Sequence, residues 1–316
     1  MPSSRTIMVA GAGIGGLTAA LAIAQGGFRV AIYEQAERLE ETGAGIQLSP
    51  NASGILIALG LGEALRRYVV APEELRIMSL RSGRVLARAP LGTTAEQRYG
   101  APYWVIHRGD LQAVLVDAVA AHPDIRLHLG RQIDDFESHR NGVTIAGTAA
   151  NHPIEERGLA LVGADGIWSR LRRRLGDARP PRFTGHTAWR ALAPADDAPH
   201  EARTTAVNLW LGRDAHFVHY PVKGGRLINV VAIARNTWSG TGWNAAGERR
   251  EILDRFGSGE LPEAVLNLLA APRHWQKLGA LRPPAAAAVG RGPGNAAGRR
   301  RPPDAALSGA GRRHGH

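Results

Sequence analysis

The stretch Thr6–Glu34, TIMVAGAGIGGLTAALAIAQGGFRVAIYE, decides the fold of this chain. It begins with a short apolar run, Thr6–Ala10, which has the length and composition of a buried parallel strand. A glycine-rich turn follows, and Leu17–Ala24 consists mostly of strong helix formers. Arg29–Tyr33 is a second strand-like run, and the acid Glu34 ends it. This order of strand, glycine turn, helix, strand and acid predicts a βαβ unit in an α/β fold.

Gly11, Gly13 and Gly16 form the pattern G-x-G-x-x-G in the turn before the helix. The first glycine permits a tight turn, the second lets backbone amides approach a pyrophosphate, and the third lets helix pack closely on strand. The helix N-terminus adds partial positive charge for a diphosphate, and Glu34 stands where a ribose-binding carboxylate belongs. An ordinary glycine-rich turn would share the bare pattern, but it would not need the acid and the second strand. These residues therefore predict an adenine-dinucleotide site.

The composition excludes several classes of protein. The chain has 316 residues, so we expect one large domain or two of medium size. It has no cysteine, which excludes disulfides and thiolate metal sites, and its scattered histidines lack the spacing of paired metal ligands. No window resembles a membrane span. Because the first strand begins almost at the N-terminus, we expect no signal peptide and a cytoplasmic protein.

The net charge of +11 could suggest a nucleic-acid or membrane partner. Much of that charge, however, lies beyond Lys277, where the only acid is Asp304. The arginines of this segment are Arg282, Arg291, Arg299, Arg300, Arg301, Arg312 and Arg313. The rest of the chain has no basic stripe interleaved with aromatic residues, so we expect no nucleic-acid partner.

The pattern changes after the first half of the chain. Residues 183–234 contain the strand-length runs TAWRALAP, AVNLWLG, HFVHYPV and RLINVVAIA, which predict an antiparallel sheet. We predict a Rossmann-like cofactor domain made of residues 1–72 and 100–178. A second, mostly antiparallel β-sheet domain, made of residues 73–99 and 179–277, would bind substrate. Composition predicts that residues 278–316 are a disordered basic tail.

Four motifs together resemble the FAD-dependent aromatic hydroxylases of the p-hydroxybenzoate hydroxylase type, and most nearly the salicylate and 3-hydroxybenzoate hydroxylases. The resemblance implies a GR2-type FAD-binding domain. The motifs are the glycine pattern with Glu34, the segment 107–111 (HRGDL) with Arg108, the segment 163–166 (GADG) with Asp165 and Gly166, and the loop 43–52 (GAGIQLSPNA) with Gln47. Only one G-x-G-x-x-G is present, so a nicotinamide would have no Rossmann site of its own.

The resemblance gives these residues roles toward FAD. It implies that Arg108 reaches the phosphate and ribityl region of the flavin and that Asp165 and Gly166 contact FAD and, transiently, NAD(P)H. The loop that holds Gln47 would pass near the isoalloxazine. Taken singly, Arg108 could be a surface arginine at the start of a helix, and Asp165-Gly166 could be a simple turn.

On the substrate side, the run HFVHYP holds two candidate catalytic residues, His216 and Tyr220. Strand alternation puts them on one face with Val218, and puts Phe217 and His219 on the other. The resemblance implies that His216 deprotonates a small phenolic acid, which then attacks a flavin C4a-hydroperoxide formed from O2 after NAD(P)H has reduced FAD. Imidazole titrates near neutrality and suits such a base, although His216 could also be a satisfied or surface histidine.

Two neighbouring residues and two wider questions stay open at this level. Trp189 and Arg190 could line the same pocket, or could be a core tryptophan and a surface arginine. The chain could be a monomer or a homodimer. It could also be a catalytically impaired remnant that binds flavin or nucleotide, or a related flavin oxidoreductase with a non-aromatic substrate.

The resembled family also has a later flavin motif, close to GDAAHP followed by AQGAG, and this chain lacks it. Codons for residues 298–315, read from the second base, permit GDAAHPMLPYLAQGAGMA. We therefore hypothesise that a one-base frameshift near Lys277–Leu278 replaced the C-terminal flavin segment. The loss would leave FAD weakly held and hydroxylation poor. Sequencing the gene across these codons tests the hypothesis, and an intact reading frame would refute it.

Overall fold

The computed structural model describes residues 5–39, 43–237, 244–256 and 261–282. The first half contains strands β1 (Thr6–Ala10), β2 (Arg29–Tyr33), β3 (Gly45–Leu48), β4 (Glu74–Ser79), β5 (Val85–Pro90), β6 (Trp104–His107), β7 (Ile125–His128), β8 (Arg131–His139) and β9 (Gly142–Ala149). Its helices are α1 (Ile14–Gln25), α2 (Pro50–Ala58), α3 (Gly62–Arg66), α4 (Gly92–Tyr99) and α5 (Arg108–Ala121).

The second half is dominated by strands. They are β10 (His152–Gly158), β11 (Ala160–Gly163), β12 (Arg182–Pro194), β13 (Ala206–Leu211), β14 (Ala215–Val222), β15 (Leu227–Arg235), β16 (Asn244–Gly247) and β17 (Trp275–Arg282). The helices are α6 (Arg170–Arg174), α7 (Arg249–Phe256) and α8 (Glu263–Ala270). Within the ranges that the structure describes, no helix is both long enough and apolar enough to cross a membrane.

A parallel sheet with the order β11-β1-β2-β7 forms the centre of the cofactor half. Strand alternation divides its side chains between two cores. Val9 packs with helices α1 and α5, whereas Met8 and Ala10 pack against Ile145 and its neighbours in the three-stranded sheet β10-β9-β8. Because both faces are covered, β1 is apolar throughout, as the opening stretch predicts.

The substrate half is an eight-stranded sheet with the order β16-β17-β12-β15-β14-β13-β4-β5. All pairings in it are antiparallel except β13 with β4, which is parallel. One face packs against α7 and α8 through Phe217, Ile252 and Leu268. The other face meets the cofactor half through Tyr220 and Val105. We call this second face the cofactor-facing side of the sheet.

The α/β fold with a parallel sheet and a second, mostly antiparallel sheet is confirmed. Strands β4 and β5 form a hairpin around Gly83. Gly60, with φ 81°, separates helix α2 from helix α3. Ser49 is the N-cap residue of α2.

The predicted boundary of the tail needs a correction. Residues 278–282 continue β17, where Leu278 is buried and pairs with Ala188 of β12. The low-complexity composition that begins there concealed a strand, since pairing with a long neighbour can hold a segment of weak intrinsic preference. The rest of the predicted tail, residues 283–316, lies outside the described residues, and so does the out-of-frame motif.

Candidate functional site

The glycine turn has the geometry that its sequence predicts. Gly11 adopts φ 102°, and a Cβ there would lie 2.4 Å from the carbonyl oxygen of Ala164. A Cβ at Gly16 would lie 1.9 Å from the carbonyl oxygen of Gly11, so both positions require glycine. At Gly13, by contrast, a Cβ would meet no atom within 4 Å. The turn therefore packs tightly on its inner side and leaves open space beside Gly13, before the first turn of α1.

Glu34 stands at the end of β2 and is fixed by the same turn. One carboxylate oxygen accepts a hydrogen bond from the amide of Ala12 (2.7 Å) and the other from the amide of Ala36 (2.9 Å). Each oxygen keeps acceptor capacity for a ligand hydroxyl. Beside it lies a cavity of about 510 Å³, lined by Ala12, Gly13, Glu34, Ala36, Glu37, Arg38, Leu39 and Gln112.

The segment around Asp165 contacts the glycine turn directly. Ala164 donates its amide to the carbonyl of Ala10 (2.8 Å), which continues the pairing of β1 with β11. One oxygen of Asp165 accepts the amides of Arg170 (2.8 Å) and Leu171 (3.2 Å) at the start of α6. Gly166 adopts φ 77°. The carboxylate is thus held in place by a helix start, and its second oxygen has no hydrogen bond within the described ranges.

Arg108 is the first residue of α5, and its amide donates to the carbonyl of Ala44 (2.8 Å) in the loop that holds Gln47. Its half-buried side chain has no acid or hydrogen-bond partner among the residues that the structure describes. Gln112 lies four residues further, on the same face of the helix, and lines the cavity beside Glu34. In the first turn of α5, buried Asp110 forms an ion pair with Lys223 of the substrate half.

Gln47 joins the two halves of the molecule. Its side-chain oxygen accepts a hydrogen bond from the hydroxyl of Tyr103 (2.5 Å), and its side chain also lies beside the hydroxyl of Tyr220. Burial raises the pKa of both tyrosines. Both hydroxyls therefore stay protonated at neutral pH and can donate hydrogen bonds. Gly45 makes a second contact between the halves, since its amide donates a hydrogen bond to the side-chain oxygen of Asn229 (2.7 Å).

His216 lies on the cofactor-facing side of the sheet, in register with Leu211 and Ile233. Burial, and to a smaller extent the charge of His186, lowers the pKa of His216. The imidazole is therefore neutral and able to accept a proton at neutral pH. His219 lies on the opposite face, stacked on Trp210 and Phe217. The predicted alternation along this strand is confirmed.

The structure brings the predicted residues together in two groups. Gly11, Gly13, Gly16, Glu34, Asp165 and Gly166 surround the glycine turn, while Gln47 and Tyr220 meet between the halves. His216 lies four residues before Tyr220 on the same face. Sequence reasoning missed Tyr103, Asn229 and Gln112. Gln112 could have been found, since it lies one helical turn after Arg108.

These features fit the ADP half of FAD. Open space at Gly13 leaves room for a phosphate, the start of α1 supplies amides, and the Glu34 carboxylate can accept ribose hydroxyls at the edge of the cavity. The second oxygen of Asp165 and the cation of Arg108, both without a partner in the described part of the chain, add an acceptor and a positive charge beyond the turn. Within the same described ranges, no group of three or more acidic, histidine or cysteine residues could hold a metal ion.

Comparison with known proteins agrees with this geometry. The family model described as "FAD binding domain" matches residues 4–257. The chain is 37% identical over 274 residues to 3-hydroxybenzoate 6-hydroxylase 1 of Aquipseudomonas alcaligenes, covering 86% of this chain and 68% of that protein. It is 36% identical over 271 residues to 3-amino-4-hydroxybenzoate 2-monooxygenase PtnB3 of Streptomyces platensis, covering 85% and 67%.

Solved structures share the fold. HpxO of Klebsiella pneumoniae, complexed with FAD and uric acid, superposes with a TM-score of 0.74 at 23% identity, covering 87% of this chain and 68% of that one. A salicylate hydroxylase substrate complex gives 0.70 at 24% identity, covering 89% and 69%. The family match, the two hydroxybenzoate-named relatives and the FAD-compatible turn lead to one conclusion. This chain belongs to the FAD-binding family of flavoprotein monooxygenases, and it is an FAD-dependent aromatic monooxygenase.

Proposed function

We propose that this protein hydroxylates a small phenolic acid with NAD(P)H and O2, and that His216 is its base. The observation that carries the proposal is a neutral, half-buried imidazole on the cofactor-facing side of the sheet. A phenol must lose its proton to become a good nucleophile at the ring, and a neutral imidazole is suited to accept it. The names of the hydroxybenzoate-related proteins support this class of substrate.

In this proposal the chain holds FAD with residues from three motifs. Gly11, Gly13 and Gly16 admit the diphosphate, Glu34 binds the ribose, and Arg108 neutralises phosphate charge. Asp165, with Gly166, presents a fixed acceptor to the ribityl chain. When bound, FAD accepts electrons from the reduced nicotinamide and activates oxygen for transfer to the ring.

The remaining steps belong to the substrate half. The imidazole of His216 accepts the phenolic proton at one ring nitrogen. Tyr220, held by Gln47 and protonated at neutral pH, donates a hydrogen bond that orients the substrate. The sheet and the loop that holds Gln47 exclude water from one side of the ring.

The division into domains at residues 72, 99 and 178 stays a prediction, and the strands that each sheet contains support it.

The test is the oxidation of NADH and of NADPH by the purified, FAD-supplemented chain, with a panel of hydroxybenzoates and one non-aromatic acid. We expect a hydroxybenzoate to stimulate the oxidation and to yield a dihydroxylated product. His216→Asn should slow product formation about 10²–10⁴-fold without changing the FAD content. Flavin binding without stimulated oxidation would favour the impaired remnant, and stimulation by the non-aromatic acid alone would favour the other oxidoreductase.

Three further expectations complete the proposal. The protein acts in the cytoplasm, as a monomer or a homodimer, and oxidises a soluble substrate of catabolism. The cellular fraction that contains the protein tests the location, and the mass in solution tests the oligomeric state. The frameshift near Lys277–Leu278 is a separate hypothesis, which gene sequencing decides. If it is correct, restoring the reading frame should raise FAD retention.

A further inference from the structure

Arg190 of β12 shares the cofactor-facing side of the sheet with His216. It pairs with Val231 of β15, which in turn pairs with Val218 of β14. Residues paired across a sheet point to the same face, so Arg190, Val231 and Val218 form one row. His216 is two residues from Val218 along β14 and therefore also points to this face. Trp189, the neighbour of Arg190, points to the other face and is fully buried.

The side chain of Arg190 is a cation that no acid pairs with among the residues that the structure describes. It is half-buried, and its Nε atom is inaccessible to solvent and has no hydrogen-bond partner among the described residues. Burial lowers the pKa of Arg190. Nearby Tyr220 raises this pKa, and the charge of Arg108 lowers it further. A desolvated guanidinium beside a second one is costly unless an anion joins them. Its planar fork is shaped for a carboxylate or a phosphate.

Arg190 and His216 lie at opposite corners of an apolar area. They are two strands and two residues apart, which corresponds to roughly 12 Å between Cα atoms when strands are spaced by about 4.8 Å. The side chains between them are Val218, Val231 and Ile233. Both polar side chains are long enough to approach each other over this area, leaving a gap of about one aromatic ring. Such a ring would lie against the two valines and the isoleucine.

The space beside Arg190 is large enough for a ligand group. A cavity of about 470 Å³ is lined by Gly43, Arg190, Ala191, Leu192, Pro194, Leu227, Arg273, His274, Trp275 and Gln276. Among the described residues, its lining holds two arginines and a histidine but no acid. The cavity therefore adds room and positive charge on the side of Arg190 that lies away from His216.

We propose that Arg190 binds the carboxylate of the substrate while His216 meets its hydroxyl group. This inference rests on the proposed function and narrows it to a single-ring acid whose hydroxyl is meta or para to the carboxylate. An ortho hydroxyl stands beside the carboxylate, so it cannot reach His216 while the acid is held by Arg190. The phosphate of FAD is the other anion that this guanidinium could bind, and the experiment separates the two.

The test measures binding by calorimetry with the full chain in saturating FAD. The ligands are 3-hydroxybenzoate, its neutral analogue 3-hydroxybenzamide, and salicylate. We expect the wild-type chain to prefer 3-hydroxybenzoate to both others. Arg190→Gln should weaken the binding of 3-hydroxybenzoate roughly tenfold or more, as expected for loss of a charge-assisted hydrogen bond. The affinity for 3-hydroxybenzamide should stay unchanged. The affinity of Arg190→Lys for 3-hydroxybenzoate should lie between those of the wild type and Arg190→Gln. The exposed control Arg81→Gln should bind this acid like the wild type.

Three results would overturn the proposal. Equal weakening of the acid and the amide would make Arg190 a mere part of the pocket lining. A weaker FAD affinity in Arg190→Gln, with acid binding intact, would assign the guanidinium to the cofactor. A wild-type chain without preference for the acid would refute the proposal even if the variant fails to fold. If Arg190-dependent binding holds but no ligand stimulates NAD(P)H oxidation, the proposed function fails instead.

Discussion

The amide of Gly45 donates a hydrogen bond to the side-chain oxygen of Asn229, at 2.7 Å, and so connects the cofactor half to the centre of the substrate sheet. Asn229 is fully buried and lies opposite Tyr220 in the sheet. The loop that holds Gln47 is therefore attached to β15, the strand that lies between β14, which carries His216, and β12, which carries Arg190. A displacement of Gly45 would separate the residues assigned to the cofactor from those assigned to the substrate.

Gly45→Ala should destabilise the protein by about 1–3 kcal/mol, the usual cost of overpacking. A Cβ at this position would lie 2.7 Å from a ring carbon of Tyr220 and 2.7 Å from Cγ of Asn229. Thermal and urea unfolding measure the loss. Gly43→Ala is the matched control, since its Cβ would meet nothing nearer than Leu192 at 4.0 Å. Equal stability of the two variants would show that the two halves can separate without cost.

Glu34→Gln should weaken FAD binding about tenfold or more, because a charge-assisted hydrogen bond contributes roughly 1.5–3 kcal/mol. The amide of glutamine also cannot accept at both of its ends, so one of the bonds from Ala12 and Ala36 is lost. Fluorescence titration of the apoprotein with FAD gives the affinity. Glu63→Gln, which removes an acid from the exposed helix α3, should bind FAD like the wild type. An unchanged affinity in Glu34→Gln would exclude Glu34 from the cofactor site.

Local sequence predicts the cofactor turn well because its requirements are local. Gly11 and Gly16 are needed by atoms within one βαβ unit and by the strand beside it. The alternation of His216 and Tyr220 also follows from one strand alone. For the same reason Trp189 and Arg190 cannot line one pocket. They are adjacent in β12, and Trp189 faces the helices, where its indole donates to Glu251 (3.3 Å).

The rest of the site depends on pairing between distant strands, which one sequence does not reveal. Asn229 meets Gly45 across 184 positions of the chain. Arg190 becomes a neighbour of His216 only through the register of β12, β15 and β14. No local pattern specifies that register. Strand β17 continues past the predicted domain boundary at residue 277 for a related reason, since its pairing with β12 rather than its composition determines where it ends.

The buried His219 should make the protein less stable in acid. Burial, and to a smaller extent the charge of Arg76, lowers its pKa to about 3. Since an unfolded histidine titrates near 6.5, the unfolded state binds one more proton between these values. The contribution of neutral His219 to the free energy of unfolding is complete above pH 6.5. It decreases by about 1.4 kcal/mol per pH unit as the pH falls toward 3.

His219→Gln should remove that slope from the pH dependence of the unfolding free energy, measured with urea from pH 7 to pH 4. The exposed His152→Gln controls for the loss of a titrating group at the surface. Because glutamine does not restore the stacking on Trp210 and Phe217, the variant should be less stable than wild type at pH 7. The two stability curves should converge as the pH falls. Parallel curves would mean that His219 is protonated in the folded protein.

The pH dependence of turnover should report His216. Its pKa is lowered by burial and by the positive charge of His186, so the neutral base should persist below the usual histidine range. The acid limb of kcat/KM should then lie below pH 6.5. His186→Gln should move the limb to higher pH, because it removes a like charge. His216→Asn should lose about 10²–10⁴-fold in kcat and the limb itself. A limb that keeps its position in His216→Asn would assign the base to another group.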